Sequence, residues 1–213
     1  MMNNLLLQGI TGQLFGGGGG PIPPGTIQLG TPGTPGGGSL GLAPFAFAYD
    51  YSFSAWIIEA SELSSIGGSV DFTSLELYFG DMSDPTFTMF TNRIYMAHIG
   101  SKANWTGALP TVDMSSETLT DTTNVKFSFS RTYTSAELNT WMDYSFGTNF
   151  TWNGTDNIVI WWENRDGSYD FGGPRFDIEN KTGSVAYKRT DTTYPSGGCS
   201  LDTGRPIMKL NYE

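Results

Sequence analysis

Residues 45–54 read FAFAYDYSFS. Phe45, Phe47, Tyr49, Tyr51 and Phe53 alternate with Ala46, Ala48, Asp50, Ser52 and Ser54, which is a period of two across ten residues. That period predicts a half-buried β-strand. The same reading extends along the chain. Val70 to Phe79 is a strand whose phase changes near Thr73 and Ser74, as a bulge would cause. Arg93 to Ile99 and Val125 to Phe129 alternate. Ile158 to Trp162 is apolar at every position and predicts a central strand buried on both faces. Phe176 with Ile178, Val185 with Tyr187, and Ile207 to Tyr212 bring the expected total to about nine or ten strands. Helical signals are limited to short capped turns at 61–63 and 134–138. Gly67-Gly68, Asp84-Pro85, Asn153-Gly154, Asp166-Gly167 and Gly197-Gly198 supply turns. The expected fold is all-β: an antiparallel β-sandwich, jelly-roll-like.

Upstream of this body the sequence changes character. The chain has 213 residues and its first charged side chain is Asp50. The 49 residues before it hold 14 of the 28 glycines and 6 of the 11 prolines. No hydrophobic period runs through them, so residues 1–44 are expected to form an extended Gly/Pro-rich N-terminal arm, and residues 45–213 the sandwich. As a flexible coil such an arm spans roughly 35–40 Å, and drawn straight on the order of 145 Å. Its apolar residues Leu5, Leu6, Leu7, Leu14 and Phe15 are the expected anchor on neighbouring chains.

The totals exclude several functions. With 11 Lys and Arg against 21 Asp and Glu, the net charge of −10 leaves no basic face for nucleic acid or for an anionic membrane. No apolar run reaches the ~18 residues that insertion in a bilayer needs. Met1 to Ile10 has no Lys or Arg and only three consecutive leucines, unlike a secretory signal. The four Asn-x-Thr sequons, at Asn104, Asn149, Asn153 and Asn180, are then a by-product of composition. One Cys and one His exclude a disulfide within the chain and leave zinc too few ligands. His98 lies in a strand with no nucleophile motif, and reads as a sheet histidine bonded to backbone. No nucleophile elbow or phosphate loop is present. The expected protein is therefore not an enzyme. A glycoside hydrolase is a minor alternative, drawing on Glu59, Glu62, Glu163 and Asp166.

Two ligand readings remain. Asn164, Asp166, Ser168 and Asp170 place oxygens at alternate positions around Gly167, the arrangement a hard cation requires, so calcium is the one candidate cofactor. Among six tryptophans, Trp105 and Trp152 sit in polar loop contexts and are the candidates for exposed sugar-stacking faces. Trp161 and Trp162 should face opposite sides of one sheet.

Several blocks carry a resemblance: YMAHIGSKANW (95–105), WNGTDNIVI (152–160) with DGSY (166–169), YSFS (51–54) with Glu62-Leu63, and RPIMKLN (205–211). Together they resemble the adhesin-like jelly-roll domains of Bacteroidetes surface proteins over about residues 49–213. The resemblance implies a β-sandwich for surface adhesion, often with bound calcium, and supplies no catalytic residue. Where that family has an aspartate-rich turn, this chain has Glu163, Asn164, Arg165 and Asp166. An adhesin-like sandwich on a neutral arm, read without a secretion signal, fits a particle built in a host cytoplasm. The expectation is a bacteriophage virion protein of capsid-decoration or head-fibre type, probing host surfaces or glycans and forming homo-oligomers. Its arm would contact other virion proteins. The alternative is a secreted or cell-surface carbohydrate-binding adhesin.

Overall fold

The computed structural model describes residues 22–33, 44, 46–105, 125–169, 172–195 and 199–213. The expected anchor residues Leu5, Leu6, Leu7, Leu14 and Phe15 lie outside these. The strands are β1 (Gly25–Leu29), β2 (Tyr51–Ile58), β3 (Val70–Asp81), β4 (Thr86–His98), β5 (Val125–Thr134), β6 (Thr140–Trp152), β7 (Ile158–Asn164), β8 (Arg175–Phe176), β9 (Ile178–Thr190), β10 (Ser200–Pro206) and β11 (Met208–Tyr212). Short 3-10 helices occupy Ala60–Ile66 and Ser135–Glu137, each opened by a capping box.

Two antiparallel sheets face each other as a sandwich. One has the order β1-β11-β3-β6, with β8 paired to the far end of β3. The other has the order β10-β9-β2-β7-β4-β5. Between them lies the main core, which includes Trp56, Phe72, Leu75, Leu77, Ile94, Met96, Ile160, Trp162 and Leu210. Strand β7 is buried at all seven positions because β2 and β4 flank it and both of its faces are covered. Trp162 enters the main core. Trp161 joins a second cluster on the outer face, with Ala55, Ile57, Ala97, Trp105, Val159 and Ala186. The phase change expected in β3 is a register shift between Phe72 and Ser74 opposite β6.

Two boundaries differ from the sequence reading. Residues 25–29, assigned to the arm, are strand β1. It pairs with β11 from Gly25↔Tyr212 to Leu29↔Met208 and buries Ile27 and Leu29. Flanking Gly and Pro hid a five-residue strand whose ladder is supplied by β11, 180 residues away in sequence. Conversely, the alternation at 45–54 continues as strand only from Tyr51. Phe45 lies outside the described residues. Ala46 to Tyr49 form a turn, with the Tyr49 N–H donating to the Ala46 carbonyl at 3.2 Å and the Ala46 N–H to Ser52 Oγ at 3.1 Å. Phe47 instead plugs the core edge against Phe87, their ring centroids 6.1 Å apart. β2 is not half-buried either; it is an interior strand buried from Ser52 to Ile58.

Candidate functional site

The end of the second sheet at which β7 finishes gathers Glu163 and the candidate calcium ligands Asn164, Asp166 and Ser168. Alternation along β7 sends Glu163 to the outer face with Val159 and Trp161, where it is fully buried. A buried carboxylate requires donors, and Glu163 has a full set. Oε2 accepts Arg165 Nε–H at 2.7 Å and the Tyr95 hydroxyl at 3.2 Å. Oε1 accepts the Tyr194 hydroxyl at 2.9 Å and Arg165 Nη2 at 3.4 Å. The Arg165 guanidinium lies 3.7 Å from the Tyr194 ring centre, and the Tyr95 ring stacks on Trp161 at 4.7 Å. Burial, reinforced by the Glu163 charge, pushes the phenols of Tyr95 and Tyr194 above their usual range. Burial works against the Arg165 cation, but Glu163 outweighs it and raises its pKa. The unit is a saturated charge centre, with both carboxylate oxygens committed.

Just beyond it, the chain turns. Asn164 Oδ1 accepts the Asp166 N–H at 3.1 Å, and Asp166 Oδ2 accepts the Phe90 N–H at 3.3 Å. The Arg165 N–H donates to the carbonyl of Thr91, which has φ 51° within a bulge of β4. That is a left-handed conformation on a β-branched residue, a feature that concentrates at functional segments. Phe90 and Tyr169, 53% and 59% exposed, project here. They are two of the three large hydrophobic side chains that the described residues expose.

No protein-family model, curated protein or solved structure matches the chain.

Of the candidate calcium ligands, Asn164 and Asp166 use oxygens to close this turn, Ser168 is exposed, and Asp170 lies outside the described residues. Among the described residues no three His, Cys, Asp or Glu side chains are grouped to hold a metal ion. The hydrolase candidates fall in two groups at opposite ends of the sheet: Glu59 with Glu62, both within 3.7 Å of Lys181 Nζ, and Glu163 with Asp166. Glu163 pairs with Phe53, and Glu59 follows the other end of β2, so six residues put them roughly 20 Å apart, well beyond the ~5–9 Å of glycosidase carboxylates. Glu62 is tied by both oxygens to Arg205 at 2.7 and 2.9 Å.

The tryptophan expectation is overturned. Trp105 and Trp152 are 2% and 1% exposed, so neither offers a ring face to a sugar. The Trp105 indole N–H donates to the Ser184 carbonyl at 3.0 Å, and its ring joins the outer-face cluster. Trp152 stacks on Phe72 and donates to the Asp156 carbonyl at 2.8 Å. Polar neighbours in sequence concealed two hydrophobic anchors. The tryptophan left half-buried is Trp141, on the solvent face of β6, with Lys209 Nζ 4.1 Å over its ring and Tyr78 edge-on at 5.3 Å. The missed signal was the alternation of Met142 and Tyr144, which points Trp141 outward once β6 is recognised as a strand. His98 behaves as read: its Nε2 accepts the Asn153 N–H at 3.3 Å.

Proposed function

We propose that the protein is a non-enzymatic virion structural component, of capsid-decoration or head-fibre type. Its N-terminal segment fastens it to other virion proteins, and its sandwich is displayed for adhesion to a host surface or glycan. The observation that carries this reading is the division of the sequence at Asp50, with a neutral Gly/Pro-rich segment before it and an acidic sandwich after it. An uncharged chain with an apolar tip gains most by burying itself in a partner, whereas a sandwich carrying all of the net charge of −10 stays in water. Strand β1 roots the segment at the edge of one sheet, and Ile22 just before it packs against the main core, so the anchoring part lies within residues 1–24 rather than 1–44. Drawn straight, they reach on the order of 80 Å. Commitment of Glu163 and Glu62 to arginine supports a scaffold over a hydrolase.

The test is assembly. Protein lacking residues 1–24 is expected to fold and to be absent from purified particles, while the full chain co-purifies with them. Retention of the shortened protein at full occupancy overturns the proposal.

A further inference from the structure

The adhesion part of this reading can be given a place and a ligand class. We infer that a groove beside the β9–β10 pair binds neutral oligosaccharides; the inference rests on the sandwich being the displayed, adhesive part of the protein. The groove arises from a register irregularity. Between the pairs Val185↔Asp202 and Asn180↔Gly204, β9 advances five residues while β10 advances two. The surplus from Lys181 to Ser184 arches away from β10, as bulges beside binding sites do. Gly183, at φ 78°, permits the arch, and Ser184 Oγ closes it by donating to the Lys181 carbonyl at 2.8 Å. Trp105 then fixes the neighbouring loop against the arch, through its backbone N–H to the Gly183 carbonyl at 2.7 Å and its indole to Ser184. The result is a groove of about 620 Å³ lined by Asn104, Thr182, Gly183, Leu201, Asp202 and Thr203, with the buried Trp105 touching it but presenting no ring face. That volume lies within the range of roughly 300–1,000 Å³ of small-ligand sites.

The lining specifies the ligand. Leu201 is 46% exposed, an apolar wall on an edge strand. Around it the polar capacity is unspent. Asp202 Oδ1 accepts the N–H groups of Thr203 and Gly204 at 2.6 and 3.2 Å, while Oδ2 takes part in no hydrogen bond among the described residues. The hydroxyls of Thr182 and Thr203 are likewise unpaired there. An apolar wall for a C–H face, beside a carboxylate and hydroxyls that accept and donate at close spacing, is the complement of a sugar ring. Among the described residues no cationic side chain lines the groove, and Asp202 repels anions, so sialylated or sulfated chains are selected against.

The full-length protein, printed against an array of neutral hexose, fucose and N-acetylhexosamine oligomers with sialylated and sulfated counterparts, gives the test. Neutral oligomers are expected to bind. Leu201→Asp should weaken the best of them at least tenfold. Asp202→Asn, which preserves the Oδ1 cap, and Thr203→Val should each weaken it several-fold. All three positions are at the surface or rim, and thermal unfolding confirms that each variant is folded. Neutral binding untouched by folded groove variants overturns the site but leaves adhesion standing. Binding confined to anionic glycans overturns the ligand class. Absence of glycan binding in a protein that still joins particles through residues 1–24 overturns the inference and leaves the virion reading intact.

Discussion

At the scale of single residues, the turn after β7 mixes stabilising and costly features, and the two can be separated. Thr91 holds φ 51° so that its carbonyl can accept the Arg165 N–H. Glycine adopts that backbone without the steric cost, so Thr91→Gly should raise stability by about 1 kcal/mol in urea unfolding. A destabilised variant would mean that the threonine side chain contributes more than its backbone costs. Asp166 is a second costly residue. Burial, together with the Asp50 charge, pushes its carboxyl above the usual range despite the Phe90 N–H. A carboxyl with a raised native pKa binds its proton more tightly when folded, so its cost is absent at low pH and appears as pH rises through the native value. Asp166→Asn keeps an oxygen for Phe90 and removes the charge. Measured in a chelator, it should stabilise the protein at pH 7 by about a few tenths of a kcal/mol, solvent screening keeping the gain small. The gain should vanish near pH 3. A loss at pH 7 would show that the carboxylate is required at the turn.

Between elements, the strongest polar link joins the 3-10 helix Ala60–Ile66 to the β9–β10 pair. Arg205 is 1% exposed and is shared by Glu62, Glu179 and the Ile57 carbonyl. Burial alone would raise the Glu62 pKa. The Arg205 guanidinium, the Glu59 N–H and Lys181 outweigh it and hold the carboxyl at about 2, against 4.5 when free. The native pKa is depressed, so this contribution is complete above about pH 4.5 and is lost as pH falls from there toward 2. After discounting for the solvent that Glu62 still meets, it amounts to on the order of 1–2 kcal/mol. In a series of unfolding curves, Glu62→Gln should flatten the acid limb between those values; an unchanged limb would remove Glu62 from the account. Elements also set what the sequence could reveal. β7 was legible because five consecutive apolar residues admit few other readings, and the β3 bulge because a phase change at Thr73 marks it. β6 was not foreseen: between the pairs Phe72↔Phe150 and Ser74↔Ser145 it carries surplus residues, which break its alternation. β10 was missed because SLDTGRP carries its information in register with β9 rather than in its own pattern. The candidate site was legible only as an acidic turn. That Glu163 meets Tyr95 and Tyr194 follows from pairing across 68 and 31 residues, which no local pattern encodes.

For the whole molecule, the question is where the sandwich ends and the anchoring segment begins, and β1 answers it. Ile27 and Leu29 are 9% and 6% exposed, and burying two such side chains contributes roughly 3–6 kcal/mol as an upper bound. The same strand covers the backbone of β11, which would otherwise present an open edge to other chains. Two truncations on either side of β1 should therefore behave differently. Removing residues 1–24 leaves the β1–β11 ladder whole and takes from the described core only the partly buried Ile22, so the unfolding midpoint should fall only slightly below that of the full chain. Removing residues 1–33 strips both core side chains and bares β11. It should lower the midpoint by several degrees or more and cause association through the exposed edge, seen by light scattering. If the two truncations unfold alike, β1 adds nothing to the sandwich, and the anchoring segment extends to residue 44 after all. If they differ, β1 belongs to the fold of the sandwich, and the anchoring segment lies before Gly25.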